Sequence, residues 1–364
     1  MTAAVAARPR FQSQGMGELL DRTIRLYRKH FFTFIGIIAI VQVPAFLIGV
    51  GLGILITLGG AGLSSAFVPS NPRDVNPANM GALFLVYGVA IVTTVVSVVL
   101  VSGVGQAAFT RAVADGFLGE RVTILGAYRR LGRTWLPLLG TLLLALVVGF
   151  VLILFWLIVP CLGWISGLGA IAVFSSMVVP LVTSVVVLER RSGLVAMRRA
   201  WDLARTRFWW MLGLAVILYL FGQLVITGPT YLLRLLLSWL LPFVIDSSAT
   251  QGLVVSISQS LTQVVLSLIY TPLQLVAFTL VYFDLRARAE GLDLAVETAA
   301  PETPIADVIA QAPVTSGNSL VTGKELGYFS LLTIGFFVLY GVLFGVLAAA
   351  MTVLLAATGG FPSP

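Results

Sequence analysis

The sequence has one cysteine, Cys161, one histidine, His30, and only 10% charged residues in a chain of 364. One cysteine excludes an intrachain disulfide framework and a cysteine zinc cluster, and one histidine excludes a multi-histidine metal site. A histidine pair for acid and base catalysis cannot be assembled either. We therefore expect no metal, no cofactor and no enzymatic activity, and we interpret Cys161 as an inert small residue.

Apolar residues, in contrast, are abundant: 59% of the chain is hydrophobic, and the mean hydropathy is +1.03. Such a chain cannot cover itself with a water-compatible surface, which indicates an integral membrane protein. A bilayer core of about 30 Å needs roughly 20 apolar residues per helix. Seven segments meet this requirement: approximately 31–58, 81–110, 135–158, 164–188, 208–227, 252–283 and 327–356.

A further apolar stretch, residues 231–241, is too short to be a span. Pro229 and Pro242 bracket it, and proline is expected to end or kink a helix. We predict an interfacial or re-entrant segment on the outer side.

The basic residues predict how the chain is threaded. With a cytoplasmic N-terminus, all but two of the 22 Lys and Arg fall on the inner side, and only Arg73 and Arg234 fall outside. Cytoplasmic loops carry this excess of Lys and Arg in membrane proteins. We therefore expect a cytoplasmic N-terminus, and we assign the net charge of +7 to topology and anionic lipid rather than to nucleic acid.

A basic amphipathic segment occurs three times, each time directly before a predicted span. In GELLDRTIRLYRKHFFTFIG (17–36) the apolar positions Leu20, Ile24, Tyr27 and Phe31 follow helical spacing. Four apolar positions recur in the second copy as Ile124, Tyr128, Leu131 and Trp135, and in the third as Met197, Trp201, Ala204 and Phe208; a glycine, Gly36, Gly140 or Gly213, recurs after each. The chain is thus predicted as three units, each with an interfacial helix and a two-span hairpin.

A helix with arginines on one face and an apolar stripe on the other is typical of the headgroup plane, with the stripe in the acyl boundary. The cations assigned to the membrane surface are Arg22, Arg25, Arg28, Lys29, Arg129, Arg130, Arg133, Arg198, Arg199, Arg205 and Arg207. They are expected either to bind anionic headgroups or only to hold topology.

The predicted spans carry amides rather than charges. These amides are Gln42, Gln106, Gln223, Gln259, Gln263 and Gln274. An unpaired amide is costly in hydrocarbon, so we expect hydrogen bonds between helices more than a substrate path. The GxxxG pairs Gly49/Gly53, Gly163/Gly167 and Gly341/Gly345 would permit close helix approach.

The domain division follows composition. We predict a flexible cytoplasmic tail (1–16), a six-span domain (17–294), a disordered cytoplasmic linker (295–323) and an appended seventh span with a short outer tail (324–364). The linker is polar and proline-rich and is not expected to bury a core. We therefore expect the six-span body to pack without the seventh span.

Three stretches carry a family resemblance: GELLDRTIRLYRKHFFTFIG, LERRSGLVAMRRAWDLARTRFWWMLG and, most distinctively, YFDLRARAEGLDL (282–294). Together, over residues 17–294, they resemble the membrane domain of glycerophosphoryl diester phosphodiesterases, which also occurs alone in bacteria. The resemblance covers the predicted six-span domain and favours the bacterial cytoplasmic membrane. It implies no hydrolysis, because the family's catalytic barrel is a separate soluble part, and no such segment is found here.

These observations favour a non-enzymatic scaffold or accessory subunit that engages anionic lipids, a membrane protein partner or a second copy of itself. The alternative is a transporter or lipid-translocating protein with its path between the three hairpins.

Overall fold

The computed structural model describes residues 15–67, 88–89, 92, 101–132, 134–299, 305–313 and 320–357. These residues are helical or lie in turns, with no strand among them. Six helical stretches within them are long and apolar enough to cross a membrane. The predicted class, an all-α multi-pass membrane protein, is confirmed. Residues 1–14 of the predicted tail 1–16, the GxxxG residue Gly53 and most of the predicted second span 81–110 lie outside the residues, or the side chains, that the structure describes; Met16 already belongs to the first helix.

The first compact unit comprises Met1–Leu144 and Met177–Ser316. Its helices, in chain order, are α1 (Met16–Lys29), α2 (Phe31–Phe67), α3 (Gln106–Phe117), α4 (Ile124–Leu131), the start of α5 (Trp135–Ile158), α7 (Val179–Glu189), α8 (Gly193–Thr206), α9 (Phe208–Gly222), α10 (Gly228–Leu240), α11 (Ser248–Glu290), α12 (Leu292–Thr298) and α13 (Ile305–Gln311). Single π-helical turns, Val101–Gly105 and Gln223–Thr227, precede α3 and α10.

The second unit comprises Ala145–Ser176 and Gly317–Pro364. It contains the end of α5, then α6 (Leu162–Val173), and finally α14 (Gly323–Ala357). The backbone N–H of Thr322, directly before α14, donates to Glu325 Oε2 at 2.6 Å, which is one of the two hydrogen bonds of a capping box.

The three basic segments form α1, α4 and α8, and each leads directly into a long apolar helix. Phe31, Trp135 and Phe208, which the sequence repeat aligns, are the first residues of α2, α5 and α9. A short non-helical break separates each pair, and at Gly132 the break uses a positive φ of 53° that glycine adopts without strain. The repeat therefore marks the same structural boundary three times.

Nearly all of the segment 231–241 lies in α10, which continues α9 through the π-helical turn Gln223–Thr227, so the predicted break at Pro229 is wrong. A continuous stretch of 36 residues runs from Phe208 to Phe243. Pro229 lies in the first turn of α10, directly after the π-helical turn. Proline has no backbone N–H to donate, and it is tolerated in the first turn of a helix, where the regular hydrogen-bond pattern is already interrupted. The stretch is about 54 Å long, so part of it must extend beyond a hydrocarbon core of about 30 Å.

The predicted linker 295–323 is partly helical, so disorder is wrong for its described residues. Helix α12 buries Val296, and α13 buries Ile309. The prediction of disorder used the average composition of residues 295–323. A short helix, however, needs only one or two buried apolar side chains to pack on helices that are already folded.

Candidate functional site

Five side chains form a buried polar group at one end of the first unit. This ion cluster consists of Glu189, Arg199, Tyr282, Arg286 and Glu290. The side chain of Arg199 is 3% exposed and those of Glu189 and Glu290 are each 1% exposed. Charged side chains are almost never fully buried unless they are paired. The contacts within this cluster are therefore needed for α7, α8 and α11 to pack together here.

The two buried arginines are paired with the two buried glutamates. Arg199 Nε lies 3.0 Å from Glu189 Oε2, and its terminal nitrogens both lie 2.5 Å from oxygens of Glu290. Arg286 Nε donates to Glu290 Oε2 at 2.9 Å. Tyr282 completes the network, donating to Glu189 Oε1 and accepting from Arg286 Nη1, both at 3.0 Å.

Local sequence places these groups. Tyr282, Arg286 and Glu290 are four residues apart and therefore share one face of α11. Glu189 is the last residue of α7, and Gly291, with a φ of 64°, ends α11 immediately after Glu290. The cluster thus joins the ends of α7 and α11 to the middle of α8.

The electrostatics of the cluster favour full ionisation of Arg199. Burial acts to lower its pKa, but the hydrogen bonds and charges of Glu290 and Glu189 outweigh burial, and the pKa is raised. Two guanidinium groups against two carboxylates leave the buried set neutral. Removal of one partner would leave an uncompensated buried charge.

Arg199 is therefore not at the membrane surface, and that prediction is wrong. The reason is that α8 is buried on most of its circumference, from Ala196 and Met197 to Ala204. Other α8 cations have mixed environments: Arg198 is exposed, while Arg205 Nη2 lies 2.9 Å from Asp202 Oδ1. The guanidinium of Arg207 lies 5.0 Å from the centroid of the Trp210 ring.

The cations of α1 are more accessible. Arg25, Arg28 and Lys29 are exposed, although Arg25 also lies 3.3 Å from the exposed carboxylate of Asp21. Arg22 instead packs over the ring of Phe117, with its Cζ 4.5 Å from the centroid.

In the second copy, Arg129 is exposed and Arg130 is held by two carboxylates. Arg130 Nη1 lies 3.0 Å from Asp115 Oδ2 and 2.5 Å from Glu120 Oε2. Arg133 lies outside the described residues.

Much of the apolar stripe of the repeat packs on protein rather than in the acyl boundary, so the prediction is wrong for those positions, whereas Ile24 is 46% exposed. Tyr27 is 7% exposed, and its hydroxyl donates to the carbonyl of Ile269 in α11 at 2.7 Å. Tyr128 likewise donates to the carbonyl of Ile37 in α2 at 2.6 Å. Trp201 of α8 is also buried.

The amides behave in three ways. Gln42 donates to the hydroxyl of Ser267, and Gln106 Oε1 accepts from Thr183 Oγ1 at 3.2 Å; these bonds join α2 to α11 and α3 to α7, as predicted. Gln223 bonds Thr227 within its own helical stretch. Gln259, Gln263 and Gln274 all lie on α11, where Gln263 is exposed.

Sequence reasoning missed the acidic half of the ion cluster and Asp115. The spacing of Arg286 and Glu290 was a usable signal, because oppositely charged groups four residues apart pair on a helix. Nothing in the sequence places Glu189 beside Arg199. Among the described residues, no group of three or more His, Cys, Asp or Glu side chains is arranged to hold a metal ion.

Comparison with known proteins adds no relative: no family model, curated protein or solved structure matches this chain.

Proposed function

We propose that this protein is a non-enzymatic scaffold or accessory subunit of the bacterial cytoplasmic membrane, and that its exposed cytoplasmic cations engage anionic lipid headgroups. The observation that carries the proposal is the surface of α1. Arg25, Arg28 and Lys29 are exposed there, beside Ile24 and Phe32, which are 46% and 85% exposed. Cations next to exposed apolar groups favour the boundary between headgroups and acyl chains.

The expected strength is modest. A Lys or Arg near an anionic surface contributes about 1 kcal/mol, so three cations supply enough for lipid enrichment without a dedicated pocket. The likeness to the membrane domain of glycerophosphoryl diester phosphodiesterases belongs to the same proposal, since that domain can occur without its catalytic barrel.

The test compares two triple variants. Neutralising α1 with Arg25→Gln, Arg28→Gln and Lys29→Gln should lower the amount of phosphatidylglycerol that copurifies with the protein. The charge-preserving control, Arg25→Lys, Arg28→Lys and Lys29→Arg, should keep it. Equal lipid content in both variants would mean that Arg25, Arg28 and Lys29 only set the topology of the protein in the membrane.

The cytoplasmic N-terminus is part of the proposal and has its own test. In a Cys161→Ser background, a cysteine at the exposed Asp246 should react with an impermeant maleimide in intact cells, whereas one at the exposed Ser192 should not. Labelling of Ser192→Cys in sealed cells would contradict the orientation.

A second candidate, transport of a lipid or solute, has one observation in its favour. Helix α11 carries a polar face that includes Ser256, Ser260 and Gln263. The two serines bond carbonyls of their own helix, which leaves the amides as the groups that could contact a substrate. Transport in liposomes that is lost in a Gln259→Leu, Gln263→Leu variant would favour this candidate over the scaffold.

A further inference from the structure

Helix α13 bonds one arginine of the ion cluster, Arg286, and the neighbouring Arg190. The backbone carbonyl of Ile309 accepts a hydrogen bond from Arg286 Nη1 at 2.8 Å. The carboxylate of Asp307 accepts one from Arg190 Nη2 at 3.2 Å. The helix therefore presents one carbonyl and one carboxylate to two arginines.

Beneath α13, the number of arginine side chains is larger than the number of carboxylates that the other helices supply. Arg190 and Arg191 follow Glu189 directly, and Arg191 Nε lies 3.6 Å from Glu189 Oε2. With Arg199 and Arg286 they make four cations against Glu189 and Glu290. Asp307 of α13 offsets part of this excess, so removal of α13 would leave a site with a net charge of about +2, suited to an anion.

Arg286 also has unused hydrogen-bonding capacity. Its side chain is fully buried, yet Nη2 has no hydrogen-bond partner among the described residues. A buried guanidinium nitrogen without an acceptor is costly. The phosphate group of an anionic lipid offers several acceptor oxygens and could engage both terminal nitrogens.

The attachment of α13 is weak enough to be reversible. The helix has seven residues, and Ile309 and the following Ala312 are the buried side chains of this segment. The Arg190–Asp307 pair is solvent-exposed, with side chains 65% and 39% exposed, and such pairs contribute about 0–1 kcal/mol. Segments with few buried contacts open locally far more easily than the fold as a whole.

We propose that α13 is a displaceable strap that occupies an anion site formed by Arg190 and Arg286, and that the phosphate group of an anionic lipid competes with it there. The inference rests on the proposed function, because it requires this end of the bundle to meet anionic headgroups. Lipid binding and release of the strap are then coupled: each favours the other.

The experiment measures exposure of Ile309, which is 1% exposed with the strap in place. The full chain carries Ile309→Cys in a Cys161→Ser background and is reconstituted in nanodiscs of phosphatidylcholine, with or without phosphatidylglycerol. A neutral maleimide should react slowly in the first lipid. In nanodiscs that contain phosphatidylglycerol, the rate of the maleimide reaction should rise by about tenfold when the phosphatidylglycerol concentration is about ten times its dissociation constant.

Two positions serve as matched controls for the reagent and for general loosening. Gln311→Cys, exposed on the same helix, should react rapidly in both lipids. Val296→Cys, 1% exposed on α12, should stay protected in both. A parallel rise at Val296→Cys would overturn the strap, because it would mean that the whole end of the bundle opens.

Two charge variants separate closure from anion binding. Asp307→Asn should raise the basal rate at Ile309→Cys about two- to fivefold and keep the response to phosphatidylglycerol. The exchange Arg190→Asp with Asp307→Arg should restore protection but abolish the response. An exchange variant that still responds would overturn the role of Arg190.

Inorganic phosphate added to phosphatidylcholine nanodiscs distinguishes the source of the anion. Release by free phosphate would overturn the lipid as ligand, while no release supports it. Phosphatidylglycerol that copurifies without any change at Ile309→Cys would overturn the strap but leave the proposed function standing. Failure of the proposed function would instead appear as no lipid enrichment at all.

Discussion

At the scale of single residues, neighbours in the sequence have opposite environments. Arg198 is exposed, whereas the side chain of Arg199 is 3% exposed and is paired with Glu189 and Glu290. The two arginines have the same charge and propensity, so only the packing of α8 distinguishes them. Their substitution should therefore have very different consequences for stability.

Arg199→Gln should lower the free energy of unfolding by about 3–5 kcal/mol, because it leaves buried carboxylates without their partner. Arg198→Gln should change it by less than about 0.5 kcal/mol. Thermal unfolding of the two variants in the same detergent measures the difference. Equal stability would mean that the ion cluster is accessible to water.

Asp115, unlike Arg199, is a residue whose burial opposes its charge more strongly than its partners favour it. Burial raises its pKa above the ordinary value of 3.8, against the lowering effect of Arg111 and Arg130. A carboxyl group with a raised folded-state pKa stabilises the fold in its protonated form. That contribution is complete below the unfolded pKa and is lost as the pH rises through the folded pKa.

Asp115→Asn should consequently gain stability relative to the wild type as the pH rises from below about 3.8 toward neutrality, since the amide has no charge to desolvate. Thermal transitions of both proteins across this range provide the comparison. If the stability of Asp115→Asn relative to the wild type falls with rising pH, the ion pairs of Asp115 with Arg111 and Arg130 outweigh the cost of burying its charge.

At the scale of helices, glycines decide where two apolar helices approach closely. A Cβ atom added to Gly163 would lie 2.3 Å from the carbonyl oxygen of Phe155, and one added to Gly169 would lie 2.0 Å from that of Phe329. The backbone N–H of Gly169 also donates to Thr333 Oγ1 at 2.8 Å. Gly341, in contrast, has no atom of the described residues within 4 Å of such a Cβ, so within the described part of the chain the predicted Gly341/Gly345 pair does not form this contact.

Gly169→Ala should force α6 and α14 apart at a cost of about 1–3 kcal/mol. The matched control, Gly341→Ala, should cost less than about 0.5 kcal/mol. Disulfide cross-linking between cysteines placed on α6 and α14 reports the separation directly. Efficient cross-linking in Gly169→Ala would contradict the close approach.

At the scale of the whole molecule, the chain beyond α11 is tied to the part before it. Helix α13 reaches Arg286 through the carbonyl of Ile309, and α14 packs on α6 at Gly169. The expectation that the six-span body packs without the seventh span therefore fails at α6. The two contacts cited involve backbone carbonyl groups, those of Ile309 and Phe329, so hydrophobicity alone does not predict them.

Two truncations separate the contributions. Ending the chain after Pro313 removes α14 but keeps α13, and ending it after Ala295 removes both. Both should lower the thermal transition, and the shorter chain should be lower still because Arg286 loses the Ile309 carbonyl and α12 loses the buried Val296. Transitions equal to that of the full chain would show that the body is independent after all.

The sequence by itself determined the class and the start of each long helix after a basic segment. These features depend on local composition and spacing, which a single segment carries: 20 apolar residues favour a span of about 30 Å, and aromatic residues at Phe31, Trp135 and Phe208 mark three helix starts. The bonding of Gln42 and Gln106 between helices also followed, because an amide in hydrocarbon needs a partner.

Only the tertiary structure decided which charges are buried and which helices touch. Glu189 and Arg199 are ten residues apart, and Glu290 comes from a different helix, so no spacing rule brings them together. The same holds for α13, whose two buried side chains find a site that the rest of the chain builds. The physical reason is that burial and long-range pairing depend on where several segments meet, whereas periodicity reports only one segment at a time.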